Sequence, residues 1–122
     1  MTGFAALREL DDAALRRAII ELYAPGAVEP DVAALCRALA GRALTVAVPG
    51  GAVEVDLGDW TSIIMIRLGG WEPHLAGLAA ALVGPGAVAI DVGAHVGTWT
   101  LLLAARVGPL SLIHISEPTR PY

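Results

Sequence analysis

The chain has 122 residues, a net charge of −4 and a pI near 5.2. That length suits one domain or part of one, and the acidic balance without a basic stripe disfavours nucleic acid as a primary partner. Cys36 is the only cysteine, which excludes an intrachain disulfide and a cysteine-built metal cluster, so no metal site is expected.

The opening stretch MTGFAALRELDDAALRR lacks the basic start and apolar run of a secretory signal. Residues 11–23 predict an amphipathic helix: Asp11 or Asp12 caps it, Leu15, Ala18, Ile19 and Leu22 share one face, and Pro25-Gly26 ends it. A second helix is expected from near Pro30 to Gly41, with Val32, Leu35, Cys36 and Leu39 inward. Cys36 among such neighbours reads as a small core residue.

The pattern changes at Leu44. The run LTVAV, then Pro49-Gly50-Gly51, then AVEVDL reads as a hairpin, with Val53, Val55 and Leu57 alternating against Glu54 and Asp56. That alternation puts the two acids on a solvated strand face rather than in an acid–base pair. After Gly58-Asp59, TSIIMIRL reads as a third strand, so residues 44–68 predict a small antiparallel meander. A helix over WEPHLAGLAAALV follows, with Leu75, Leu78 and Leu82 as its apolar stripe and Gly84-Pro85-Gly86 as its stop. The near-apolar run across this stop is too broken to span a membrane, and a cytoplasmic protein without a membrane segment is expected. AVAIDV then suits a parallel strand buried on both faces, and TWTLLLAARV a helix.

Strand, glycine turn and buried helix together open a βαβ unit. Open α/β sheets bind ligands at the carboxyl ends of their strands, where Asp91 sits. Glycine there lets a ligand approach backbone amides, while the carboxylate suits a ligand ammonium and repels a pyrophosphate. The G-x-G-x-x-G dinucleotide fingerprint is absent, because Gly93 is followed by Ala94 and His95 before Gly97, which argues against a nucleotide-binding oxidoreductase. Capping of the next helix is the alternative role for Asp91.

The stretch LVGPGAVAIDVGAHVGTWTLLLAARVGP resembles the first motif of class I S-adenosylmethionine-dependent methyltransferases, and within them is most similar to the FkbM family. That family shows a helix carrying a glutamate, a Pro-Gly turn, a D-V-G-A-N-x-G motif and a helix ending in Gly-Pro. Glu72, Pro85-Gly86, Asp91 to Gly97 and Gly108-Pro109 match these in turn, with His95 standing where the family usually has asparagine. The resemblance implies an α/β fold: a truncated class I methyltransferase (Rossmann-like) fold preceded by an N-terminal helical pair and the meander. It implies S-adenosylmethionine as cofactor, with Asp91, Gly93, Ala94, His95 and Gly97 around its methionine part and Glu72 as a weaker candidate. The implied reaction is O-methylation of a hydroxyl on a small metabolite or saccharide, and no catalytic residue is assigned.

The family's next strand ends in Glu-Pro, whose glutamate binds the ribose hydroxyls, and Glu117-Pro118 falls at that place. Yet every residue from Leu110 to Arg120 also matches the translation of a transposase adapter used in sequencing libraries. The expected organisation is therefore a helical region over 1–43, the start of a methyltransferase domain over 44–109, and a non-native tail over 110–122 that pairs 111–116 with strand 87–92. On that reading the chain is an inactive piece of a longer enzyme, and helix 98–107 leaves apolar surface uncovered. The competing reading from another class is an interaction module, in which the helical pair over 11–41 docks on a partner without catalysis.

Overall fold

The structure is a computed structural model that describes residues 3–109 and 112–115. It is mixed α/β. A 3₁₀ helix (Phe4–Glu9) leads into α1 (Asp12–Glu21) and α2 (Val32–Leu39), followed by β1 (Ala43–Val48) and β2 (Gly51–Asp56). Then come α3 (Trp60–Leu68), α4 (Pro73–Leu82), β3 (Ala89–Val92), α5 (Thr98–Val107) and β4 (Leu112–Ile115). The chain divides into two compact units, one running to Val46 and including Glu54–Gly69, the other built from Ala47–Val53 and the chain from Gly70 onward.

In the first unit each α-helix starts on an aspartate. Asp11 accepts from the Ala14 amide (2.7 Å), Asp31 from Ala34 (3.0 Å) and Asp59 from Thr61 (2.9 Å), which satisfies amides that a helix start leaves unpaired. The cap at Asp31 sets the start of α2 just beyond Pro30. The centres of the predicted α1 and α2 faces are buried, Leu15, Ile19, Leu35 and Leu39 fully and Cys36 beside them, while Ala18, Leu22 and Val32 at their margins are half-buried. Arginines tie down carbonyls around this core. Arg8 donates to the Ala38 and Ala40 oxygens at the C-terminal end of α2, and Arg16 to the Thr45 oxygen at 2.6 Å. Arg42 donates to the Leu10 oxygen and pairs with Asp12 at 2.6 Å.

β1 and β2 pair as a two-stranded antiparallel sheet, and the expected third strand is a helix. Residues 60–68 are apolar on nearly every side, so their pattern fits either element, and their isoleucines favour a strand. Two local devices decide for α3: the Asp59 cap and the left-handed Gly69 (φ 71°), whose amide closes back on the Met65 oxygen. As a helix the segment buries Ser62, Ile63, Met65 and Ile66 together. The meander is thus a hairpin plus a helix. Within it, Glu54 is exposed as expected, while Asp56 organises loops by accepting from the Gly41 (3.0 Å) and Gly58 (2.7 Å) amides.

In the second unit β3 and β4 are parallel, with Ala89 opposite Leu112 and Asp91 opposite His114, and α5 between them packs on both. This is the pairing expected for the tail. Two burial expectations fail. β3 alternates instead of being buried throughout: Ala89 and Asp91 face inward, while Ile90 and Val92 are 57% and 65% exposed, because α5 covers one side only. α4 turns its Leu75, Leu78 and Leu82 stripe outward and buries Ala76, since it meets α5 through small residues. The helix expected to be bare is covered in part: Leu102 and Val107 are buried and Leu101 lies against the hairpin tip, while Trp99 and Leu103 stay half-buried. Arg106 anchors the pair of helices by donating to the Val83 and Ala80 oxygens at the end of α4.

Candidate functional site

The chain leaves β3 through the turn 91–97 and enters α5 at Thr98. Strand alternation turns Asp91 inward, where it is 8% exposed, and Ser62 is the only other polar residue that is buried among the described ones. Its carboxylate does not cap the helix. The N-cap is Gly97, which carries no side chain to do so, with its carbonyl accepting from the Leu101 amide (2.9 Å) and its own amide donating to the Ala94 oxygen (2.8 Å). Asp91 Oδ2 instead accepts from the Thr100 hydroxyl at 2.5 Å. Among the described residues no other group hydrogen-bonds this carboxylate.

Three residues of the turn have left-handed backbone: Gly93 (φ 74°), His95 (φ 49°) and Gly97 (φ 86°). At Gly93 a side chain would meet nothing within 4 Å, so the peptide is bare on that side. Glycine is needed there for its φ, and the same bareness leaves a ligand room to reach the backbone. At His95 the left-handed φ explains the residue class: Asn, Asp and His adopt that region more readily than other side chains. A histidine at this position is therefore one that the backbone accepts. Its side chain is exposed, whereas Ala94 is buried.

The five predicted residues 91–97 thus lie in one turn. Glu72 precedes α4 in left-handed backbone (φ 45°, ψ 57°) and makes no cap bond with its side chain. Such a conformation costs a non-glycine residue energy and marks a position worth testing. Glu117 lies outside the described residues. Thr100 was not legible as a site residue. The available signal was a hydroxyl in the first turn of the helix that follows a strand-end aspartate.

A separate apolar depression is lined by Val48, Pro49, Trp71, Ala76, Trp99 and Leu102. With a volume of about 10 Å³ it has room for a water molecule at most. Among the described residues no cluster of His, Cys, Asp or Glu is arranged to hold a metal, and no helix is long and apolar enough to cross a membrane. No protein-family model, curated protein or solved structure matches the chain.

Proposed function

We propose that the turn 91–97 holds the methionine part of S-adenosylmethionine, in a methyltransferase of Rossmann-like α/β fold that acts on a hydroxyl of a small metabolite or saccharide. The observation that carries this is the buried Asp91 carboxylate beside the bare backbone of Gly93, at the strand end where such sheets take their ligands. A zwitterionic amino-acid group fits both halves. Asp91 accepts from its ammonium, and the open backbone at Gly93 leaves room for its carboxylate. The resemblance to the FkbM family over residues 44–109, most specific over 84–109, suggests the reaction class.

The bound cofactor would supply an electrophilic methyl on its sulfonium. This chain's own part is binding and orientation: Asp91 fixes the amino-acid end, and Gly93 and Gly97 keep side-chain bulk out of its way. His95 is held beside them by its backbone conformation, with its side chain outward.

Calorimetry of the full chain with S-adenosylhomocysteine tests the proposal. Asp91→Ala removes a charge-assisted hydrogen bond worth roughly 1.5–3 kcal/mol, so affinity should fall about ten- to a hundredfold. Gly93→Val should abolish binding, because it forces a β-branched residue into left-handed backbone and puts bulk where the ligand touches. Melting curves run in parallel separate binding from folding. Unchanged affinity in Asp91→Ala with a lowered melting temperature would make the turn scaffold and end this assignment.

A further inference from the structure

We infer that Thr100 is a positioning residue for the ligand-facing oxygen of Asp91, an inference that rests on the reading of the turn as an ammonium site. A carboxylate oxygen taken out of water needs a partner. Thr100 supplies one to Oδ2 through its hydroxyl. Oδ1 has no partner among the described residues and is the oxygen left open to the outside.

Geometry makes this more than a chance contact. The terminal torsion of an aspartate is broad and roughly two-fold, so the carboxylate rotates unless something holds it. Threonine is a stiff holder, because its branched Cβ restricts χ1 in a helix. Its hydroxyl has the option of bonding back to a carbonyl of the preceding turn, and here it reaches across to the strand end instead. Thr100 sits in the first turn of α5, so its bond ties the start of that helix to the end of β3. One oxygen of Asp91 is pinned, and the other is presented in a fixed direction.

A plain staple between strand and helix would also use such a bond. The two roles separate in ligand affinity. Thr100→Val keeps the shape and removes the donor; Thr100→Ser keeps the donor. S-adenosylhomocysteine is titrated calorimetrically into the full-length wild type, both variants, Asp91→Ala, and Asp91→Ala combined with Thr100→Val. The expected result is that Thr100→Val weakens binding about three- to tenfold, the range of a single hydrogen bond. Thr100→Ser should stay within about twofold of wild type, since it restores that bond. In the Asp91→Ala background Thr100→Val should change affinity no further, because nothing remains to position. Should Thr100→Val fail to fold, Thr100→Ala takes its place with the same expectations.

Wild-type affinity in Thr100→Val overturns the inference while leaving the cofactor site standing. So does an equal loss in Thr100→Ser, or a Thr100→Val effect that persists undiminished without Asp91. A wild-type chain that binds no S-adenosylhomocysteine overturns the cofactor reading and this inference with it.

Discussion

Gly50→Ala is the sharpest test of how the second unit is assembled. Gly50 sits at the tip of the β1–β2 hairpin with φ 91°. A Cβ there would stand 2.3 Å from the Leu101 oxygen and 2.7 Å from its carbonyl carbon, both backbone atoms of α5. Neither can swing aside as a side chain would. Left-handed backbone costs an alanine roughly 1–2 kcal/mol, and forcing atoms into a filled space typically adds about 1–3 kcal/mol. Together the loss should be about 2–5 kcal/mol, a large share of the stability of a small domain. The neighbouring Gly51→Ala is the control. Its Cβ would meet only the Leu101 side chain, at 3.4 Å, without a positive φ, so its effect should stay below about 1 kcal/mol. Urea unfolding followed by the fluorescence of Trp71 and Trp99 reads the difference. Equal midpoints for the two variants would mean that the hairpin tip does not rest on α5.

Three further outcomes are expected. Burial, with the Asp59 charge adding to it, pushes the Cys36 thiol above its ordinary 9.0. The unfolded chain therefore ionises first: this stability is full below pH 9.0 and is lost as pH rises through the folded value, so the urea midpoint should fall above pH 9.0 and Cys36→Ala should flatten that fall. Tyr23 behaves alike one step higher: burial outweighs the Arg67 guanidinium stacked 4.7 Å from its ring centre and raises the phenol above 10.0, so its stability is likewise lost above that pH. Since the Tyr23 hydroxyl is buried without a partner among the described residues, Tyr23→Phe should be neutral or stabilising at pH 7 and should remove that second loss. Finally, amplification of the source locus across Pro109 should read a sequence other than Leu-Ser-Leu-Ile-His-Ile; recovering those residues would make Glu117 native and a serious ribose ligand.

What was legible followed from devices that act locally. Asp11 before an apolar stripe, Pro49-Gly50 between alternating runs and the glycine turn after AVAIDV each set their element by short-range chemistry, and each element is there. What was not legible needed knowledge of the neighbours. α4 is apolar on almost every side, so a Leu75/Leu78/Leu82 stripe and an Ala76-centred one fit helical spacing equally, and contact with α5 chose the smaller residues. Residues 60–68 posed the same ambiguity between helix and strand, and the Asp59 cap was the signal that resolves it. The grip of Thr100 on Asp91 spans a turn whose path the residue order does not disclose.

The six aspartates make the case for the candidate site by accounting rather than by motif. Asp11, Asp31 and Asp59 cap helices, Asp56 accepts two loop amides, and Asp12 pairs with Arg42. None of these five is buried, and each does work that folding explains. Asp91 is buried, although it caps nothing and meets no cation among the described residues. Its return in folding is the single bond from the Thr100 hydroxyl, set against a desolvation cost that an apolar residue would avoid. The turn that follows compounds the cost with a non-glycine residue, His95, in left-handed backbone. Two costly features within five residues, at a strand end opening onto bare peptide, are the grounds for testing this turn as a binding site before any other part of the chain.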